Sequence, residues 1–282
     1  MATYLFPGLG SHYKGMGSGL FESYPQLVAT ANEILGFSVQ NLCVHDPQKQ
    51  LNNFQFVQPA LFVVNALTYL QKIANTGKIP DYVAGHSLGE YNALWAAGVF
   101  DFETGLKLVT KNSKVVNQST DYRMAAVIGL NEIQIKEILF ENDLNALDIA
   151  IYNSRTQIVL GGSKNDIERG RKVFEAAKIK MYIVLNINCA FHTRYMRSSK
   201  EQFEEFLAGY TFANPMFPVV SNVTATPYHD REIKSNLANQ IICPVRWFDS
   251  IKYLMELGET DFEEIGPGKV LTLLLQKIKA NE

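Results

Sequence analysis

The sequence predicts an α/β fold in which a large domain carries a smaller unit inserted into it. Short apolar runs typical of strands alternate with longer amphipathic segments over most of the 282 residues. Between about residues 123 and 187 the order changes to β-α-β-β-α-β, and the alternation then returns. Hydrophobic residues make up 47% of the chain and charged residues 19%, so a full core can be buried.

The large domain begins with "TYLFPGLG", which predicts a short strand running into a glycine loop. The segment "SYPQLVATANEILG" predicts a helix closed by Gly36. A long helix is predicted over "QPALFVVNALTYLQKIANTG", with Pro59 in its first turn and Gly77 after its end. "YVAGHS" then predicts a strand and a sharp turn, "GEYNALWAAG" predicts the next helix, and Asp101 is placed as the N-cap of another.

The inserted unit is predicted to be a small ferredoxin-like subdomain spanning residues 123–187. Its strands are predicted in "MAAVIGL", "LDIAIYNSRTQIVLGG" and "KMYIVLN", and its helices in "NEIQIKEILFEN" and "SKNDIERGRKVFEAAKI". The large domain is therefore expected to comprise residues 1–122 and 188–282. The second of these segments ends in an amphipathic helix near "GKVLTLLLQKIKA".

Charge and cysteine usage narrow the functional classes. The 26 basic and 28 acidic residues give a formal net charge of −2, without a basic run suited to nucleic acid or a charged membrane surface. Cys43, Cys189 and Cys243 are an odd number without CxxC spacing, so neither disulfides nor a zinc site are expected. No apolar stretch approaches the ~20 residues that span a bilayer, and an early Pro-Gly turn argues against a signal peptide. We therefore expect a cytoplasmic monomer that binds no metal, nucleic acid or membrane.

The pentapeptide Gly85-His86-Ser87-Leu88-Gly89 has the G-x-S-x-G form of a nucleophile elbow. In such an elbow a strand ends and a helix begins within one strained turn, and the glycines leave the serine hydroxyl clear of the backbone. The helix N-terminus and the amide of Leu88 would stabilise an oxyanion. The alternative is an ordinary helix cap, but the strand before Ser87 and the helix after it favour a nucleophile.

A serine nucleophile needs a base, most often a histidine, and five are present. His45 and His229 lie beside aspartates in polar stretches, which predicts surface positions, while the elbow itself constrains His86. His12 lies in the glycine loop near the N-terminus. His192, in "NINCAFHTRYM", follows an apolar strand and a turn of small residues, from which it could reach another strand's end. Spacing alone leaves a buried histidine bonded to the backbone as an equal alternative.

Several segments of the chain stand in a characteristic order along it. They are "FPGLGSHYKGMG", "QPALFVVNAL", "AGHSLGEYNAL", "MAAVIGL", "YNSRTQIVLGG", "NCAFHTRYM", "SNVTA", "CPVRWFDSI" and "EEIGPGKVLTLLL". Over nearly its whole length the chain thereby resembles malonyl-CoA:acyl-carrier-protein transacylases and the acyltransferase domains of polyketide synthases. The resemblance implies an α/β-hydrolase-like large domain with a ferredoxin-like small one, and an enzyme that acts in trans.

The resemblance also implies a role for each matching position. Ser87 would take an acyl group from a thioester, and His192 would act as general base and then protonate the leaving thiol. The backbone carbonyl of Gln240 would orient the histidine, and the amides of Leu9 and Leu88 would form the oxyanion hole. The chemistry would be ping-pong acyl transfer through a covalent ester. The substrate would be contacted by further side chains, namely Gln58, His86, Asn112, Asn117 and Phe191.

The implied partners are an acyl carrier protein and an acyl-CoA or acyl-carrier-protein thioester. No cofactor is implied, because the phosphopantetheine arm is carried by the substrate carrier protein. Carrier proteins are acidic, so a local basic surface is expected despite the net charge of −2. The residues that could supply it are Arg194, Lys200, Arg231 and Lys234, although solvated surface charges are the simpler alternative.

The chain departs from the family at the position that recognises the acyl group. Malonyl-selecting members carry an arginine in R-G-x-x-M-Q, whose guanidinium binds the carboxylate of malonate. Here "KNSKVVNQS" puts Asn112 at the arginine and Asn117 at the glutamine. Burying a malonyl carboxylate against asparagine would cost about 2–5 kcal/mol of binding free energy, which predicts a loss of selectivity of about a hundredfold or more. Rescue by Lys111 or Lys114 is the alternative, but on a helix they point ~100° or more away from position 112.

Two other departures carry less weight. The N-terminal loop reads Gly8-Leu9-Gly10-Ser11-His12 where the family usually has G-Q-G-S-Q, but the amide of Leu9 is kept. Phe191 is typical of malonyl rather than methylmalonyl enzymes, which points the other way from Asn112. Phenylalanine limits bulk at the α-carbon and supplies no charge, so the missing arginine matters more.

Together these residues favour hydrolysis of non-carboxylated acyl groups from acyl carrier protein, the activity of the proofreading branch of the family. The alternative is a transacylase that loads carrier proteins in trans, with malonyl-CoA or another acyl-CoA as donor. A non-catalytic docking scaffold is a remote alternative, against which the paired Ser87 and His192 argue.

Overall fold

A computed structural model describes residues 2–116, 121–177, 179–229 and 231–280 of the chain. The strands in these ranges are β1 (Ala2–Phe6), β2 (Tyr82–Gly85), β3 (Tyr122–Ile128), β4 (Asp148–Ser154), β5 (Gln157–Ser163), β6 (Met181–Val184), β7 (Val219–Val220) and β8 (Asp261–Glu264). The helices are α1 (Pro25–Leu35), α2 (Val39–His45), α3 (Phe54–Thr76), α4 (Gly89–Ala96), α5 (Phe102–Val116), α6 (Glu132–Glu141), α7 (Lys164–Ala176), α8 (Arg197–Ala208), α9 (Ile233–Gln240), α10 (Trp247–Glu256) and α11 (Val270–Ala280).

The large domain is built on a parallel sheet of strand order β7-β2-β1-β8. In the register of β1 and β2, Phe6 lies opposite Gly85, so both strands end at the same edge of the sheet. The carboxyl ends of parallel strands are where α/β folds place their ligands. This edge carries the glycine loop after β1 and the sharp turn after β2.

The two faces of the parallel sheet pack against different helices. Tyr4 and Phe6 of β1 join the core formed with α3, α4 and α5. Leu5, between them in sequence, faces the opposite way and packs with Trp247 of α10 and Leu271 of α11. This alternation follows from the two-residue period of a strand, and covering both faces explains why all but the first residue of each central strand is buried.

The inserted unit is an antiparallel sheet of order β4-β5-β3-β6, with α6 and α7 packed on one face. Its chain order, β3-α6-β4-β5-α7-β6, is the ferredoxin-like arrangement that the sequence predicts. The two helices contribute Ile135 and Phe174 to the core on that face. The predicted α/β fold class, with a parallel and a separate antiparallel sheet, is confirmed, while the boundaries at 122/123 and 187/188 stay a prediction.

The long helix α3 begins earlier than the sequence pattern predicts. It starts at Phe54, so Pro59 lies inside the helix rather than in its first turn. The overlooked signal is Asn53, whose side chain accepts a hydrogen bond from the Gln55 amide at 3.0 Å and caps the helix. Its other end is as predicted, because Gly77 adopts a left-handed conformation with φ of 63° and closes the helix.

Two other predicted helix boundaries are confirmed. Asp101 caps α5 by accepting a hydrogen bond from the Thr104 amide at 2.8 Å. Gly36 closes α1 in a left-handed conformation with φ of 76°. The three cysteines are free thiols. Within the ranges described above, no helix combines the length and the apolar composition that crossing a membrane requires.

Candidate active site

Ser87 lies in the sharp turn between β2 and α4, with a positive φ of 53°. Both glycines of the pentapeptide are required by close packing. A Cβ atom on Gly85 would lie 2.0 Å from the backbone carbon of Gly89, and one on Gly89 would lie 2.0 Å from the carbonyl oxygen of Phe6. The residue in the cap position of α4 is Leu88, and no side chain caps the helix there. The Ser87 hydroxyl is therefore free for another partner, which excludes the capping alternative.

That partner is His192, which the fold brings to the serine from 105 residues away. The distance from Ser87 Oγ to His192 Nε2 is 2.8 Å, and His192 Nδ1 lies 2.7 Å from the backbone carbonyl oxygen of Gln240. Because a carbonyl oxygen only accepts, Nδ1 carries the ring proton and Nε2 is left to accept the proton of the serine hydroxyl. This is the arrangement of a nucleophile with its oriented base.

Burial lowers the pKa of His192 to about 4, against the opposing effect of the hydrogen bond to Gln240. The side chain is only 5% exposed, so the charged imidazolium is poorly solvated. At neutral pH the imidazole is therefore uncharged and ready to act as a base. The two surface histidines of the sequence prediction, His45 and His229, are indeed exposed.

We expect the rate constant for acylation of Ser87 to stay level from about pH 8 to about pH 5. The depressed pKa of His192 keeps the basic form dominant through this range, and the rate falls only as the pH approaches about 4. Quench-flow mass spectrometry with an acyl-CoA donor measures this profile, and enzyme returned to pH 7 must regain its full rate. A loss centred near pH 6.5 would mean that His192 titrates as an ordinary solvated histidine.

The two predicted oxyanion amides lie beside the serine. Leu9 follows Gly8, whose Cβ position would be 2.4 Å from the His86 carbonyl oxygen, so the glycine loop packs directly on the turn. Leu88 already has helical dihedral angles, and the first amides of a helix have no partner within it. Both leucines line the same small cavity as Ser87 and His192. Both residues therefore border the serine hydroxyl, and the use of their amides as oxyanion donors stays a prediction.

This cavity, here called the acyl pocket, has a volume of about 30 Å³. It contains three of the predicted substrate-binding residues, and Asn112 is 8% exposed in its wall. The Asn112 amide nitrogen donates to the hydroxyl of Tyr91 at 3.1 Å. None of the residues described as lining it is a lysine or arginine; they are Leu9, Gln58, Ser87, Leu88, Tyr91, Asn112, Val116, Phe191, His192, Gln240 and Ile241.

The neighbouring lysines of α5 do not replace the missing arginine. Lys111 and Lys114 line a groove on the outside of the domain, with Phe206 and Tyr210. The Lys111 ammonium lies 5.4 Å from the centre of the Phe206 ring, which lines the same groove. Neither lysine therefore lines the acyl pocket in this geometry. Asn117, the other predicted polar residue of this stretch, lies outside the described residues.

A larger cleft of about 310 Å³ opens on the other side of Ser87. Side chains of the small sheet and of α11 form its mostly apolar walls, and Lys277 lies among them. His86 lines this cleft and not the acyl pocket. Its Nε2 lies 2.9 Å from Asn153 Oδ1 of β4, which ties the turn to the small sheet. The cleft and the acyl pocket thus meet at Ser87 and His192.

Sequence reasoning missed Tyr91, Glu90 and Asn222. Glu90 is fully buried below the turn, and its Oε1 accepts from the Asn222 amide at 2.7 Å and from the Tyr228 hydroxyl at 2.8 Å. Burial raises the pKa of Glu90 to about 7, while the hydrogen bond from Asn222 opposes that rise. The segments "GEY" and "SNVTA" hold these residues, but 132 residues separate Glu90 from its partner and nothing local indicates the contact.

Two of the four cations proposed for a basic surface are paired with acids. Arg194 lies 2.6 Å from Asp148, and Lys200 lies 2.7 Å from Glu204. In each pair one side chain is more than half exposed and the other about one-fifth exposed, and ion pairs at the surface contribute little to stability. They reduce the local positive charge that an acidic partner would meet. A carrier-protein surface at these positions stays a prediction.

Comparison with known proteins places this geometry in context. Residues 3–280 match the model of the acyl transferase domain family. The chain is 52% identical, over 99% of its length and 97% of the relative, to the polyketide biosynthesis malonyl CoA-acyl carrier protein transacylase PksC of Bacillus subtilis. A crystal structure of a malonyl CoA-acyl carrier protein transacylase from Burkholderia pseudomallei is 44% identical, with a TM-score of 0.97 over 100% of this chain and 99% of that one. Another neighbour, a malonyl-transacylase in complex with a type II polyketide synthase acyl-carrier protein, has a TM-score of 0.93 and 32% identity over 98% of this chain and 92% of that one.

Proposed function

Because the chain belongs to the acyl transferase domain family, we propose that it transfers acyl groups from thioesters to acyl carrier protein in polyketide biosynthesis. Family membership makes it an acyltransferase enzyme. The observation that carries the proposal is the 2.8 Å contact between Ser87 Oγ and His192 Nε2, at the junction of an apolar cleft and a small pocket. The carrier protein as acceptor is supported by the names of the relatives.

The reaction proceeds in two balanced halves. Ser87 Oγ attacks the thioester carbonyl carbon while His192 Nε2 takes its proton, and the amides of Leu9 and Leu88 stabilise the oxyanion. The tetrahedral intermediate then breaks its carbon–sulfur bond, and His192 gives the proton to the leaving thiolate. In the second half the carrier thiol loses its proton to His192 and attacks the ester, and Ser87 leaves with that proton.

The names of the relatives support malonyl-CoA as the donor, but the acyl pocket departs from what a malonyl group needs. The amide of Asn112 and the hydroxyl of Tyr91 are neutral, so they can donate hydrogen bonds to a carboxylate without neutralising its charge. A malonyl group buried there would bind with a penalty of about 2–5 kcal/mol relative to a site with a guanidinium. If malonyl-CoA is the donor, we therefore expect slow acylation of Ser87.

This neutral pocket favours a second candidate function, hydrolysis of short non-carboxylated acyl groups from acyl carrier protein. A volume of about 30 Å³ leaves room for a group of roughly the size of one or two water molecules, such as the methyl group of acetyl. The chemistry is the same up to the ester on Ser87. Water then takes the place of the carrier thiol, and His192 activates it in the same way.

The partition between the two functions is measurable. Malonyl-CoA with holo-carrier protein, and acetyl-carrier protein alone, are incubated separately with the enzyme, and mass spectrometry follows carrier-bound acyl groups and free acid. For transfer we expect carrier protein to be loaded at least tenfold faster than free acid appears. Faster release of acetate than loading of malonate would replace transfer by hydrolysis. If the enzyme gained no acyl mass in either reaction, both catalytic functions would be excluded. The remaining alternative would be a non-catalytic docking scaffold.

A further inference from the structure

The buried carboxylate of Glu90 lies directly under the two candidate catalytic side chains. It is 0% exposed, on the first turn of α4, three residues after Ser87. It lines neither the acyl pocket nor the cleft, so it touches no substrate. Within the described part of the chain its oxygens accept hydrogen bonds from Asn222, Tyr228 and Gln240, none of which is a cation. Burying a carboxylate completely costs free energy unless each of its oxygens accepts hydrogen bonds. The donors around Glu90 must therefore lie at defined positions.

One arm of contacts leads from Glu90 to the serine. Oε1 accepts from the backbone amide of Asn222 at 2.7 Å. The Asn222 side chain then brackets the turn: its Oδ1 accepts from the Ser87 amide at 2.7 Å and its Nδ2 donates to the Gly85 carbonyl at 2.6 Å. These two bonds hold Ser87 in the positive-φ conformation that no regular element would impose.

The second arm leads to the histidine. The side-chain nitrogen of Gln240 donates to Glu90 Oε2 and also to the Ser87 carbonyl, the latter at 3.0 Å. The backbone carbonyl of the same Gln240 accepts from His192 Nδ1 at 2.7 Å. Fixing the Gln240 side chain from both sides therefore fixes the carbonyl that orients the imidazole.

We propose that Glu90 is a positioning residue that sets the distance between Ser87 Oγ and His192 Nε2 by anchoring Asn222 and Gln240 at once. The proposal rests on the proposed function only in taking Ser87 as the nucleophile. Misplacing a reacting pair by about 1 Å can cost about a hundredfold in rate. Loss of the carboxylate therefore lowers the rate constant of the chemical step without changing how tightly the substrate binds.

An amide cannot replace the carboxylate, although it has the same shape. In Glu90→Gln the new NH₂ group would face either the Asn222 amide or the Gln240 side-chain nitrogen, and both are donors. One arm is then without an acceptor in either orientation. A protonated carboxyl keeps both arms, because its hydroxyl can donate to the Tyr228 oxygen while both oxygens still accept. The defect is therefore particular to the amide.

The test follows covalent labelling of Ser87 by a fluorophosphonate, in which the serine oxygen bonds to phosphorus, His192 takes the hydroxyl proton and fluoride leaves. For Glu90→Gln we expect the labelling rate constant to fall about tenfold to a hundredfold. The final stoichiometry and the probe concentration for half-maximal rate stay within twofold of the parent. Gln240→Met, which keeps the backbone carbonyl but removes the side-chain donor, is expected to slow labelling similarly.

Glu259→Gln serves as the matched control. Glu259 is a second buried carboxylate of the large domain, 2% exposed, and it accepts from the Thr3 hydroxyl at 3.0 Å. The glutamine keeps an oxygen that can accept this hydrogen bond, and the labelling rate is expected to stay within twofold of the parent. Should Glu90→Gln fail to fold, Gln240→Met carries the test of the second arm alone.

Three results would overturn the proposal: parent-like labelling rates in folded Glu90→Gln, a loss of stoichiometry at unchanged rate, or normal rates in Gln240→Met. Failure of the proposed function is a separate outcome. An enzyme that is labelled normally but transfers and releases no acyl group loses the proposed function and leaves the inference standing. If the parent enzyme transfers acyl groups normally and Glu90→Gln is labelled at the parent rate, the proposed function stands and the inference about Glu90 fails.

Discussion

Ser87→Ala is expected to abolish the acyl-enzyme, and His192→Ala to slow its formation by about 10²–10⁴-fold. The serine variant has no oxygen to carry the ester. The histidine variant keeps the hydroxyl but loses the base that lies 2.8 Å from it, so the proton must go to water. Intact-mass spectrometry after incubation with an acyl-CoA reports the ester directly, and a time course gives the rate constant.

Matched substitutions show whether these effects belong to the pair. Ser199→Ala removes a buried hydroxyl that donates to the Val115 carbonyl, and His45→Ala removes an exposed imidazole. Both are expected to acylate within threefold of the parent. If Ser87→Ala still gained the acyl mass, another residue would be the nucleophile, and the geometry of the turn would have no catalytic meaning.

Asn112→Arg is expected to raise malonyl acylation of Ser87 about a hundredfold relative to acetyl acylation. The side chain at this position faces the acyl pocket, and a guanidinium there would form a bidentate, charge-assisted pair with the malonyl carboxylate. The factor corresponds to about 2.7 kcal/mol, at the lower end of the 2–5 kcal/mol assigned to an unpaired carboxylate. Competition between malonyl-CoA and acetyl-CoA, read as the ratio of the two ester masses, measures the change.

Thr110→Arg is the control for charge alone. Thr110 lies on the same helix but lines the outer groove with Lys107 and Lys111, away from the pocket. The Thr110→Arg variant adds the same charge as Asn112→Arg, and we expect it to leave the ratio of malonyl to acetyl ester on Ser87 unchanged. An equal rise in both variants would point to long-range attraction of the anion. An unchanged ratio in Asn112→Arg would show that position 112 does not meet the far end of the acyl group.

Sequence reasoning could find the residues that belong to a recognisable local pattern, above all Ser87 and His192. The strand, glycines and helix around Ser87 form a local pattern, and the pattern of segments around His192 matches a family in order and spacing. The fold class was equally accessible, because periods of two and 3.6 residues differ clearly over long segments. Leu88 can be named from the elbow itself, because its amide follows the serine, whereas Leu9 is implied only by the resemblance to the family.

The rest depends on contacts that no local pattern encodes. Glu90 and Asn222 meet across 132 residues, and a buried glutamate looks in sequence like any exposed one. Tyr91 reads as a core aromatic until Asn112 donates to its hydroxyl. The start of α3 was misplaced because Pro59 is a stronger local signal than the capping residue Asn53. The resemblance assigns both His86 and Asn112 to the substrate, whereas the structure places them in different cavities.

The positive φ angles of Ser87 and His192, 53° and 60°, have a consequence for how the protein fails on heating. Each such conformation costs about 1–3 kcal/mol in a residue other than glycine, so each persists only while its surroundings enforce it. Both lie in loops, whose local opening requires less free energy than melting of the sheets. On heating, we therefore expect catalytic activity to be lost at a lower temperature than the helices and strands melt. We also expect this loss of activity to be reversible at first.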